Sequence, residues 1–231
     1  MKRIFAFFAA AGTIAFALPA TAADKSWMVE NFEGIAVSGR YDVDVTTGTG
    51  QRVVATGPQK ALDRLLVDVD GDTLRIRERR GDWRGWFSGS EPVKISVTVP
   101  RLTSARLSGS GDLDVDNMAG ANIELALAGS GDLTVDDMTA TSVETSLAGS
   151  GDIIASGTCR TGDFSVAGSG DISAKSLTCR RVEASVAGSG NIEVEATETA
   201  ELSIAGSGDI TVTGGAKCTG SSRGSGDWTC S

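Results

Sequence analysis

The stretch Leu127-Ala128-Gly129-Ser130-Gly131-Asp132-Leu133-Thr134-Val135 decides the fold. Its apolar residues alternate with polar or small ones on both sides of a Gly-Ser-Gly-Asp tetrapeptide. That is the pattern of two strands, each with one buried face, meeting at a sharp corner. Copies of the tetrapeptide, once with Asn191 in place of Asp, begin at Gly109, Gly129, Gly149, Gly168, Gly188, Gly206 and Gly224, at intervals of 20, 20, 19, 20, 18 and 18 residues. One coil of a solenoid needs about that length, and a meander of short hairpins needs less. Upstream, Val37-Ser38-Gly39-Arg40-Tyr41-Asp42-Val43-Asp44-Val45 aligns on the quoted stretch without a gap, so the solenoid starts early.

Three ladders of inward residues follow from the alignment. Leu107, Leu127, Leu147, Val166, Val186 and Ile204 stand two places before the first glycine. Leu113, Leu133, Ile153, Ile172, Ile192, Ile210 and Trp228 stand four places after it, and Val115, Val135, Ala155, Ala174, Val194, Val212 and Cys230 six places after it. Like residues stacked at the roughly 4.8 Å spacing of neighbouring strands fill a narrow interior, so 5% aromatic residues suffice. The period of two, the frequent glycines and the β-branched inward residues exclude helices. The expected fold is all-β, a parallel β-helix (β-solenoid) of about 19-residue coils with a less regular N-terminal part. The nonapeptide calcium-binding β-roll has a shorter repeat and a different glycine pattern.

Residues 1–23 read as a secretory signal: Lys2 and Arg3, an apolar run from Ile4 to Leu18, then Pro19 and the small residues Ala20 to Ala23. No later stretch is apolar enough to cross a bilayer. The expected product is exported, periplasmic or at the cell surface. Residues 24–100 are expected to cap the solenoid and begin its coils, with Phe32, Tyr41, Leu62, Leu65 and Leu66 as bulk and a helical turn within 61–66. Residues 101–231 continue the same domain as the repeat region. The mature chain keeps 19 basic against 30 acidic residues, which disfavours a nucleic-acid partner, and the lack of His removes imidazole-based nucleophile activation and His-ligated zinc. No cofactor is expected.

The four cysteines, Cys159, Cys179, Cys218 and Cys230, lack a close Cys-x-x-Cys spacing, and in an exported chain an even count favours disulfides. Cys159 and Cys179 hold nearly equivalent places on successive coils, and Cys218 with Cys230 would pin the last one.

Outward positions carry the candidate chemistry. Glu124, Glu144, Asp163, Glu183 and Glu201 stand five places before the motif and should form an acidic ladder. Its plain reading is a solvated face that keeps the protein soluble; weak divalent-cation binding and recognition of a basic partner are the alternatives. A second series, Asp112, Asp132, Asp152, Asp171, Asp209 and Asp227, reads as turn-stabilising acceptors, because Asn191 serves that role equally well and would weaken a metal cage. Between the two lies a file of small residues, Ala126, Ser146, Ser165, Ser185, Ser203 and Ser221, which makes the face flat. The least repetitive stretch, Arg79 to Ser88, reads as a loop. Its Arg80, Trp83, Arg84, Trp86 and Phe87 are a candidate contact surface, since Trp and Arg are enriched at binding hot spots; folding back over the solenoid is the alternative.

The entry segment Phe32 to Gly39, the strand Asp72 to Ile76, and Val97 to Leu102 running into Leu107-Ser108-Gly109-Ser110-Gly111-Asp112 resemble the GIN domain family of auto-transporter adhesin heads. The resemblance implies a bacterial, exported, right-handed parallel β-helix, related in shape to pectin lyases but without their catalytic residues, and a role in adhesion. The expectation is therefore a non-enzymatic protein that binds a glycan or cell-envelope component, as a monomer or a homo-oligomer. A structural periplasmic or matrix component, and a polysaccharide-active enzyme, are the competing readings.

Overall fold

The computed structural model describes residues 23–79 and 93–231. The chain runs β1 (Ala23–Trp27), β2 (Gly34–Gly39), β3 (Asp42–Thr47), β4 (Arg52–Gly57), α1 (Gln59–Leu62), β5 (Leu65–Asp70), β6 (Thr73–Glu78), β7 (Lys94–Val99), β8 (Ser104–Gly109), β9 (Leu113–Gly129), β10 (Leu133–Gly149), β11 (Ile153–Gly168), β12 (Ile172–Gly188), β13 (Ile192–Gly206), β14 (Ile210–Thr213), β15 (Lys217–Gly224) and β16 (Trp228–Cys230). Strands β9 to β13 each make most of one coil, and each lies parallel to the next. This is the expected β-solenoid. The motif glycines stack in register, Gly109 on Gly129, Gly149, Gly168, Gly188, Gly206 and Gly224.

Within a coil the alternation breaks between Val115 and Met118 and again between Met118 and Ile123, where the intervening residues are at the surface and the chain turns. Every member of the three inward ladders from Leu107 to Val212 is buried, and one apolar cluster runs from Phe32 to Val212. Burying a Val, Leu or Ile side chain stabilises by about 1.5–3 kcal/mol, so the repeat itself supplies the core. Only the last coil departs from the ladders. Trp228 is half-buried and Cys230 exposed, because among the described residues no coil covers them. The Trp228 indole reaches across to Gly220 and packs on the core as a partial plug.

The N-terminal part is interleaved with the stack. β2 and β3 form a coil whose glycine corner is Gly39, and on one side they pair in parallel with β8 and β9. On the other side the later strands β6 and β7 pair with β2 and β3, also in parallel. Strand order in the sheets thus differs from order in the chain. Residues 100–103 carry the chain back past the β2–β3 coil, and the Thr103 N–H donates to the Glu33 carbonyl at 2.7 Å. Antiparallel β5 covers β6, and antiparallel β4 and β1 extend from β7. The helical turn lies at 59–62, earlier than expected. Pro58 (φ −62°) starts it, and the alternating Leu65-Leu66-Val67-Asp68-Val69 is already strand.

Candidate binding surfaces

The corner fixes everything around it. The first motif glycines have φ between 131° and 148°, a region L side chains rarely adopt. A Cβ on Gly129 would also land on the carbonyl oxygen of Gly109, and one on Gly131 on that of Gly111. Glycine is required here by backbone-to-backbone contact between coils.

Directly after the corner, each acidic side chain accepts a backbone N–H from the following coil. Asp132 N–H donates to Asp112 Oδ1 (3.1 Å), Asp152 to Asp132 (3.1 Å), Asp171 to Asp152 (3.0 Å), Asn191 to Asp171 (2.7 Å), Asp209 to Asn191 (2.9 Å) and Asp227 to Asp209 (2.8 Å). The acceptors serve the neighbouring coil rather than their own turn. Asp227, with no coil beyond it among the described residues, accepts from Trp228 N–H at 2.8 Å. These carboxylates are spent on holding coils together.

On the opposite side of the corner the outer surface is a set of parallel files. Glu124, Glu144, Asp163, Glu183 and Glu201 share one register position on five successive coils, bounded by Ser104 and Thr219. Arg106 forks onto Glu124, its Nε donating to Oε1 at 2.9 Å, which holds the guanidinium above its usual range. The next file is Ala126, Ser146, Ser165, Ser185, Ser203 and Ser221. A further one, Ala128, Ala148, Ala167, Ala187 and Ala205, is exposed at the rim. Sequence reasoning overlooked these alanines, although each immediately precedes a motif glycine and must therefore point outward. The result is a flat strip of methyls, hydroxyls and carboxylates, repeating once per coil.

Another acidic group lies on the far side of the corner. Asp44 and Asp114 share a register position, and Lys94 Nζ bridges Asp44 at 2.9 Å. Partial burial, with Asp44 and Asp112 beside it, raises the Asp114 carboxyl above the ordinary range. Among the described residues no His, Cys, Asp or Glu cluster has the geometry to hold a metal ion. Open depressions are present among the described residues. One of about 580 Å³ lies between Ser38, Gly39, Arg77 and Glu78, and one of about 310 Å³ at the head of the acidic ladder, between Ser104, Asn122, Glu124 and Glu144.

Arg80, Trp83, Arg84, Trp86 and Phe87 lie outside the described residues, but the chain on either side of them is placed. Arg77 is in register with Ser38 and Lys94 with Asp42. In the β2–β3 coil the same two positions are joined by the corner Gly39-Arg40-Tyr41. In the chain, residues 78–93 therefore connect two positions that a glycine corner joins in the other coils.

Both disulfides form, Cys159 with Cys179 (Cα–Cα 4.5 Å) and Cys218 with Cys230 (Cα–Cα 6.4 Å). The first joins two residues in direct register on adjacent coils. The second ties β15 to β16, the two halves of the last coil. No helix among the described residues is long and apolar enough to cross a membrane.

Residues 31–216 match the family described as "Putative auto-transporter adhesin, head GIN domain". The chain belongs to this family. Solved structures resemble this GIN-domain chain over nearly their whole length. A Bacteroides fragilis protein called a putative adhesin is 22% identical with a TM-score of 0.80, over 91% of this chain and 97% of that one. A Parabacteroides distasonis protein called a putative lipid binding protein is 26% identical with a TM-score of 0.73, over 92% and 98%. A second P. distasonis protein, called a putative adhesin, is 21% identical with a TM-score of 0.69, again over 92% and 98%. Comparison with curated proteins finds no match. The family and these neighbours support an adhesion or binding role for the GIN-domain chain.

Proposed function

We propose that this is an exported, non-enzymatic binding protein, which attaches to a glycan or another cell-envelope component through its flat repeating strip and the Arg/Trp segment between β6 and β7 in the chain. The observation that carries the reading is the register of the outward files: one polar pattern repeats on five coils, so a polymer with its own repeat can be contacted several times at once. Multiple weak contacts of this kind give avidity without a deep pocket. Catalysis is disfavoured because the motif carboxylates, the clustered pairs that a polysaccharide-cleaving enzyme would need free to protonate and activate, already accept backbone hydrogen bonds. Side chains of the three ladders fill the interior, so a lipid would have to be met at the surface as well. The two disulfides fit an oxidising compartment, periplasmic or extracellular.

The test is binding of the mature chain to immobilised glycans and envelope fractions, with Trp83→Ala/Trp86→Ala and Glu144→Gln/Glu183→Gln beside it. The first pair should weaken binding by more than about tenfold. Unchanged binding in both pairs removes the proposed surfaces, and carboxylate-dependent cleavage of a polysaccharide replaces the reading with an enzymatic one.

A further inference from the structure

Coil β11 is the poorest in core side chains on one face. The inward position held by Met118, Met138 and Leu177 in neighbouring coils is Gly157 in β11, and the position held by Ile123, Val143 and Val182 is Gly162. Gly157 has φ 128° and lies against the Met138 carbonyl oxygen, so no larger residue fits. Between these two glycines sits Cys159, bonded to Cys179. The disulfide and the fully buried Phe164 ring occupy what Gly162 leaves free. A Cβ built on Gly162 would stand 3.3 Å from Cys179 Sγ and against the Phe164 ring.

The hydrogen-bond ladder is also broken here. β9 and β10 pair without interruption. Register shifts then occur between Val135 and Met138, between Ile154 and Ser156, between Ala174 and Thr178, and between Cys179 and Arg181, as coils of unequal length are brought back into phase. All of these lie on the stretch of coil that holds the disulfide. Between β11 and β12 themselves the pairing shifts once, between Ile154 and Ser156, and resumes through Cys159 and Cys179; the two shifts between β12 and β13 follow on either side of Cys179.

We propose that Cys159–Cys179 is a register lock: it fastens β11 to β12 just after the shift in their pairing, at the coil where glycines replace core side chains, and makes closure of coils 153–196 conditional on an oxidising compartment. The bond forms when the two thiols pass two electrons and two protons to a disulfide donor, which leaves as two thiols. Before that, the coils up to Gly149 can stack while the β11–β12 seam stays open. The lock is independent of what the outer strip binds. Cys218–Cys230, in contrast, is exposed at Cys230 and ties only the last coil.

Hydrogen–deuterium exchange on the mature chain tests this, comparing wild type with Cys159→Ser/Cys179→Ser, Cys159→Val/Cys179→Val and Cys218→Ser/Cys230→Ser. Both the Ser and the Val pair at 159/179 should exchange faster in 153–196, on the order of a hundredfold for a crosslink of this span, while 104–149 keeps its protection. The 218/230 pair should change only 210–230. Wild-type protection of 153–196 in the Ser pair overturns the lock, and so does full protection in the Val pair, which would show that filled volume, not the bond, is what matters. If the Ser pair fails to fold, stepwise reduction of the wild type by a dithiol decides. Protection of 153–196 should be lost together with the buried bond, and loss while that bond is intact overturns the proposal.

Discussion

The side-chain amide and the backbone N–H of Asn191 both donate to a single oxygen, Oδ1 of Asp171, at 3.0 and 2.7 Å, while the Asn191 Oδ1 accepts the N–H of Asp209. One amide thus breaks a column of like charges without breaking its hydrogen bonds. Asn191→Asp keeps the acceptor for Asp209, loses the side-chain donor, and sets two carboxylates together. It should lower stability by up to about 1 kcal/mol in low salt and by less in high salt. Asn191→Ala removes the acceptor altogether and should cost about 1 kcal/mol at any salt. Urea midpoints at two ionic strengths distinguish them.

Gly129→Val places a branched side chain at φ 142° and onto the Gly109 carbonyl, where only backbone could yield. No soluble folded protein is expected. At Gly71 a Cβ has open space and the only penalty is the left-handed conformation (φ 65°), so Gly71→Ala should cost just about 1–2 kcal/mol. Thermal melts of the two variants give the contrast.

Thr145 is fully buried between Leu125 and Phe164, and its Oγ1 has no partner. Thr145→Val replaces the stranded hydroxyl with a methyl of similar shape and should raise stability by roughly 1 kcal/mol, read as an increased Tm.

Tyr41, the chain's single tyrosine, is pushed up to about 12 by burial, with Glu78 adding to the effect. The folded state therefore holds the phenol proton more tightly than the unfolded chain does. Its contribution is present below pH 10 and is lost as pH rises from there through about 12. Phenolate absorbance should show a titration near the upper value in folded protein and near 10 in urea, and Tyr41→Phe should flatten the alkaline loss of stability.

Along the acidic ladder, neighbouring carboxylates repel by roughly 1 kcal/mol before screening. Glu144→Gln/Glu183→Gln should raise the Tm in low salt and lose that advantage as salt increases. If the ladder is simply solvated, calcium will stabilise the wild type no more than sodium chloride of equal ionic strength, a comparison that calorimetry makes directly.

Repetition is what made the coils legible. Residues such as Leu127, Leu147 and Val166 recur at one phase of the motif, so equal place in the repeat means equal place in the stack, and the outward files and the disulfide positions followed. Features that occur once were not legible. Nothing in Thr73 to Glu78 or Lys94 to Val99 says that these strands will lie outside the β2–β3 coil instead of following it, because that placement depends on the crossing at 100–103. The motif aspartates were read as acceptors, but alternation along one strand cannot tell whether an acceptor serves its own turn or the next coil.

The interleaved start has a consequence for biogenesis. A chain delivered across a membrane amino end first presents Val37 and Val43 long before their neighbours, since Thr103, which closes on Glu33, follows 70 residues later. Winding therefore cannot proceed steadily from the leading end. The first loop to emerge must wait, unfinished on both flanks, until the crossing segment has been translocated, and only then can the rest of the spiral be laid down turn by turn.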